Sequence, residues 1–148
     1  MEREQFDILL VEDNQDEAEL TIRALKKSKI RSSVVHIKNG EEALDFIFCQ
    51  GRYDDRNIGY IPKLILLDLK MPRVDGIEIL RRIKWDERTK IIPIVVLTSS
   101  KEEKDIMQSY QLGANSYFVK PVDFENFVDS IGTLTHYWLE LNQTPKKL

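Results

Sequence analysis

The chain has 148 residues, the size of one ordinary domain, and its 42% hydrophobic and 32% charged content fits a soluble globular protein rather than a disordered one. A net charge of −3 provides no general basic field for nucleic acid, and no apolar run approaches the ~20 residues needed to span a bilayer. Cys49 is the one cysteine, which excludes an internal disulfide, and the opening MEREQF is unlike a signal peptide, so a reducing cytoplasm is the expected compartment.

Short apolar runs alternate with helical patterns along the chain, as in an α/β domain with a parallel sheet. Residues 6–11 (FDILLV) read as a strand, followed by a helix over Gln15–Lys27 carrying Ala18, Leu20, Ile22 and Leu25. Residues 33–37 are a second, less apolar strand, and 40–48 give a second helix with Ala43, Leu44, Phe46 and Ile47 on its apolar side. The polar stretch 50–60 is long for a connection in such a domain and reads as a surface insertion. Leu64–Leu67 is a third strand. Asp75 caps the next helix, with Glu78 three residues on in a capping-box spacing.

Residues 91–97 (IIPIVVL) form a nearly all-apolar strand, with Pro93 near its entrance because proline cannot donate to the ladder. Ser99 and Ser100, each three residues before a glutamate, mark another helix start, and Gly113 ends that helix. Ser116–Val119 is a fifth strand, and Asp123 opens a last helix with Phe124, Phe127, Val128, Ile131 and Leu134. One unit of five strand–helix pairs results, with a core over about 5–135 and an extended terminal helix to about 142.

Ligands of open parallel sheets bind beyond the carboxyl ends of the strands. Here those ends carry Glu12-Asp13, Asp68, Thr98-Ser99 and Lys120-Pro121. Taken singly, each has a structural reading as a helix cap, a loop acid or a turn. Their coincidence at one edge points to chemistry instead. Three carboxylates brought together repel, so they require a hard cation such as Mg²⁺ or a raised pKa.

The chain resembles the receiver domain of two-component response regulators. The residues that carry the likeness are Glu12-Asp13, Asp68 followed by Met71-Pro72 and Asp75-Gly76, Thr98-Ser99, and Tyr117 three before Lys120-Pro121. The resemblance implies a flavodoxin-like, doubly wound (βα)5 fold with strand order 2-1-3-4-5. It makes Asp68 the phosphoryl acceptor, with Asp13, Asp68 and the backbone carbonyl of Lys70 holding Mg²⁺ and Glu12 acting through water. Lys120 would face the phosphoryl oxygens, and small Ser99 would leave Asp68 accessible. Thr98 and Tyr117 would be the switch pair that repacks the surface of the fourth helix, fifth strand and fifth helix. Lys70 and Ser100, two beyond Asp68 and Thr98, offer no carboxamide to orient water, which implies slow to moderate self-dephosphorylation.

Only 27 residues follow Pro121 (122–148), so a stand-alone receiver is expected, with a sensor histidine kinase as phosphoryl donor and no nucleic-acid or membrane partner. Beyond its own phosphorylation and dephosphorylation no enzymatic activity is expected. His36 and His136 read as structural, so the phosphohistidine belongs to another protein. The tail with Tyr137-Trp138, packed back or presented to a partner, and the 50–60 segment resemble single-domain regulators of phytochrome-type kinases, which can dimerise through the fourth-helix to fifth-helix face. Two other classes compete. An aspartate-nucleophile phosphatase would want a second acid where Lys70 stands, and a flavin carrier of this fold would meet repulsion from Glu12-Asp13 at its phosphate.

Overall fold

Apolar runs with both faces buried become the three central strands of one sheet in the computed structural model, which describes residues 6–145. The opening 1–5, including the expected start of the core at residue 5, lies outside the described residues. In chain order the elements are β1 (Ile8–Val11), α1 (Gln15–Lys27), β2 (Val34–Ile37), α2 (Gly40–Ile47), β3 (Leu64–Leu67), α3 (Gly76–Trp85), β4 (Ile94–Thr98), α4 (Glu103–Gln111), β5 (Ser116–Val119) and α5 (Phe124–Thr135). All pairings are parallel, in the order β2-β1-β3-β4-β5. This is the doubly wound flavodoxin-like fold that the resemblance to receiver domains implies.

Alternation along each strand divides the core into two layers. Leu9, Val11, Ile65, Leu67 and Val96 pack with α2 and α3 through Leu44, Ile79, Leu80 and Ile83. Ile8, Leu10, Leu64, Leu66, Val95 and Leu97 pack with α1 and α5 through Ala18, Leu25, Phe127 and Ile131. Helices on both faces explain why these strands are apolar throughout instead of alternating. Asn14, Asn39, Asp75 and Asp123 cap α1, α2, α3 and α5 by accepting from a backbone N–H of the first turn.

Three boundaries differ from expectation. β4 begins at Ile94, not 91, because the Ile92 N–H is taken by Thr89 in a turn and Pro93 has none to give. α4 starts at Glu103 without a serine cap: Ser100 Oγ accepts from Glu102 N–H, ahead of the helix, and donates to Asp105. Beyond Thr135 the last helix widens into a π-helical segment, His136–Leu141, closed by Asn142 N–H donating to Tyr137 O. Leu139 is buried and Trp138 packs beside it, while Tyr137 and Leu141 stay exposed, so the tail both packs back and presents apolar surface.

The 50–60 segment is ordered and does more than cover the surface. A 3-10 turn at Gly51–Tyr53 sets Tyr53 edge-on to Phe46, with ring centroids 5.0 Å apart. Arg56 lies over the Phe46 ring at 3.9 Å and donates to Phe46 O and Cys49 Sγ. Ile58 and Ile61 then pack on the α2–α3 layer.

Lys84, on α3, ties the lower edge of the sheet together. Its Nζ donates to Lys90 O (3.0 Å), Ile92 O (2.7 Å) and Asn115 Oδ1 (3.0 Å), and Asn115 Oδ1 also accepts from Ile94 N–H. Gly113 crosses above the Lys84 stem with φ +104°, where a Cβ would come within 3.1 Å of Lys84 Cγ. Burial pushes the ammonium down to about 8 from 10.5. The unfolded chain therefore holds more protons between those values, so stability should rise as pH climbs through that window and level off below it. Lys84→Met should cost roughly 1–3 kcal/mol in urea unfolding near neutral pH, by stranding the oxygens, and should remove that rise.

Candidate functional site

Register sets the site. Val11 of β1 lies beside Leu67 of β3, so the chain leaves both strands at one level and places Glu12 next to Asp68. Thr98 ends β4 opposite Val119 of β5, which sets Lys120 on the same edge. Carboxylate oxygens of Glu12, Asp13 and Asp68 all lie within 4.8 Å of one another. Glu12 is 1% exposed and Asp68 8%, while Asp13 is half-buried. Gly76 lets α3 start directly against this edge, because a Cβ there would fall 2.1 Å from the Asp68 carbonyl oxygen.

The electrostatics follow from that burial. Glu12 Oε1 accepts from Lys120 Nζ at 2.7 Å, and Oε2 from Asn14 N–H at 3.2 Å. Its carbonyl accepts from His36 Nε2 at 2.9 Å, which gives that strand histidine a structural role. Burial nonetheless pushes the Glu12 carboxyl up to about 7, with the negative charge of Asp68 adding to the effect. Burial works against the Lys120 ammonium too, yet bonds to Glu12 and Glu17 raise it above its ordinary value. An oxygen-only donor set of three carboxylates, facing a single buried ammonium, suits a hard divalent cation.

The sequence-derived site residues are therefore brought together, with one departure. Lys120 lies between Glu12 and Glu17, whose Oε1 is 2.6 Å away. Glu17 went unnoticed, although its place in the first turn of α1, four residues after Asp13, was a usable signal. Asp105 went unnoticed as well: on α4, it takes the Ser100 hydroxyl and faces Lys70. Thr98 is fully buried, with Oγ1 accepting from Ser100 N–H at 3.3 Å. The half-buried Tyr117 donates its hydroxyl to Ser100 O at 3.0 Å. Ser99 is exposed, and Lys70 N–H points at Asp68 Oδ1 across 3.4 Å. No helix among the described residues is long and apolar enough to cross a membrane.

Comparisons with known proteins agree with this geometry. A family model described as the response regulator receiver domain matches residues 8–132. The probable methanogenesis regulatory protein FilR2 of Methanothrix harundinacea is 38% identical over 140 residues, covering 95% of this chain and 88% of that protein. The response regulator Rcp1 of Synechocystis sp. is 37% identical over 138 residues, 93% of this chain and 92% of its own. Its Mn²⁺-bound crystal structure superposes with a TM-score of 0.85 at 36% identity, covering 95% of this chain and 99% of that one. The phosphorylated cyanobacterial phytochrome response regulator RcpA gives a TM-score of 0.87, also at 36% identity and with the same coverage. The chain belongs to the response regulator receiver family, the phosphoryl-accepting signalling modules of two-component systems.

Proposed function

We propose that Asp68 accepts the phosphoryl group from a phosphohistidine on a separate sensor kinase, and that the modified protein signals by protein contact. The observation that carries this reading is the trio of carboxylates within 4.8 Å at the end of β3, with Asp68 itself 8% exposed. A carboxylate oxygen of Asp68 attacks phosphorus, the P–N bond to the histidine breaks, and the imidazole leaves with the electron pair. Asp13, Asp68 and the Lys70 backbone carbonyl would hold Mg²⁺, with Glu12 acting through water. Once bound, that ion neutralises the crowded acids and charge on the transferred group. Lys120 exchanges a glutamate contact for a phosphoryl oxygen.

The switch acts through charge and packing. An acyl phosphate brings roughly −1.5 to −2 charge beside β4, if it titrates as other phosphate esters do. Thr98 turns its hydroxyl to an added oxygen, and Tyr117 gives up Ser100 O to fill the vacated space. That biases a two-state equilibrium in the α4–β5–α5 surface. Met107, Tyr110 and Val122 are exposed on α4 and after β5, and we assign this surface to partner contact or a homodimer. Residues 1–148 act as one receiver unit in the cytoplasm, catalysing only their own phosphorylation and dephosphorylation. A phosphatase reading is disfavoured because Lys70, where a second acid is wanted, pairs with Asp105.

Incubation with acetyl phosphate and Mg²⁺ should add one phosphoryl group to the intact protein, on the peptide that contains Asp68. Steady turnover of phosphate esters with no such adduct would overturn the proposal in favour of the phosphatase.

A further inference from the structure

Asp105 lies in the first turn of α4, 8% exposed and outside the acid cluster. Its Oδ2 accepts a 2.6 Å bond from Ser100 Oγ and lies 3.5 Å from Lys70 Nζ. Ser100 is held from two other directions, by Tyr117 hydroxyl on its carbonyl and by Thr98 Oγ1 on its N–H. Lys70 N–H, in turn, points at Asp68 Oδ1. One buried carboxylate thus gathers the residues two beyond Asp68 and two beyond Thr98, and reaches Tyr117 through Ser100. The Ser100 bond holds the Asp105 carboxyl below its ordinary range, with Lys70 contributing in the same direction.

The Lys70 side chain has two anions within its reach once Asp68 is phosphorylated. Its backbone begins beside Asp68, and a four-carbon stem lets the ammonium swing. Asp105 offers one negative charge, whereas the phosphoryl group offers roughly −1.5 to −2 and more acceptor oxygens. The same ammonium cannot serve both at bonding distance.

We propose that Asp105 is a positioning residue that holds the Lys70 ammonium on α4 in the unphosphorylated protein, so that phosphorylation draws Lys70 off it and loosens the anchor of α4's first turn. This rests on Asp68 being the phosphoryl acceptor. Restraint of Lys70 opposes the phosphorylated arrangement, so releasing it favours binding of a phosphoryl mimic. Asp105→Asn keeps the size of the side chain and an acceptor for Ser100, but gives up the charge that holds Lys70.

The test is beryllofluoride with Mg²⁺, followed by bound-fluorine resonances in ¹⁹F NMR. Asp105→Asn should tighten beryllofluoride binding about threefold to fivefold, the size set by a half-exposed ion pair. In a Lys70→Met background the same substitution should change nothing, a dependence that a merely structural role for Asp105 would not produce. Equal affinity of Asp105→Asn and wild type, or tightening that persists without Lys70, overturns the inference while leaving the acceptor role of Asp68 intact. Absence of any bound-fluorine signal in the wild type removes the acceptor reading, and this inference with it. Should Asp105→Asn fail to fold, the wild type still decides: the ¹³Cγ resonance of Asp105 should move on beryllofluoride saturation, and should move less in Lys70→Met, where only the rearrangement around Ser100 remains. A wild-type resonance that does not move refutes the restraint.

Discussion

Asp68→Asn is expected to abolish the phosphoryl adduct entirely while leaving the protein folded and at least as stable as the wild type without divalent ion. The amide keeps the shape of the side chain but has no nucleophilic carboxylate oxygen, so no acyl phosphate can form. It also removes one of three acids held within 4.8 Å, so Glu12, at 1% exposure, loses a like-charged neighbour. Intact mass after acetyl phosphate treatment and thermal unfolding in chelator read the two halves separately. An adduct that survives at full yield would move the acceptor to another residue. A variant that melts well below wild type would mean that the Asp68 carboxylate is part of the fold, not a cost to it.

That trade of stability for chemistry marks what could be read from the amino acids alone. Strands β1, β3 and β4 declare themselves because a parallel sheet covered on both faces needs unbroken apolar runs, and charge can appear only where they end. Glu12 and Asp68 stand out for that reason. Helix starts were legible where an Asn or Asp side chain caps the backbone, as Asn14 does for α1. α4 was placed too early because Ser100 Oγ accepts from Glu102 N–H, one residue short of the helix, and donates onward to Asp105.

Side-chain destinations were harder still. The basic residue after β5 was expected to face phosphoryl oxygens, and Glu17 of α1, signalled only by its place four residues after Asp13, competes for it. The 50–60 stretch looks like tolerated polar surface, yet Tyr53 and Arg56 use aromatic edge and cation–π contacts with Phe46 that no hydrophobic periodicity announces. Lys84 carries no signal in the sequence, because its three oxygen acceptors come from residues 90, 92 and 115.

Lys120→Met should be the most destabilising single change at the site, and divalent ion should largely repair it. The Lys120 side chain is 10% exposed, and its ammonium contacts Glu12 and Glu17 at 2.7 and 2.6 Å. Methionine retains most of the apolar stem, so the packing loss is small and the electrostatic loss dominates. Glu12 would then be buried beside Asp68 with no cation. Removing one partner of a buried pair costs on the order of 3 kcal/mol, which for a domain of this size lowers melting by roughly 6–12 °C. The measurement belongs in chelator as a pH series upward from 7, because losing Lys120 raises the Glu12 carboxyl above its wild-type value of about 7 and the cost grows as rising pH forces it to ionise. Saturating Mg²⁺ supplies positive charge to the same oxygens and binds only the folded form, so the gain in melting temperature should be larger for the variant than for wild type. Equal gains would mean that the ion and Lys120 answer to different acids. No loss in chelator would mean that Glu12 is already neutral beside Lys120.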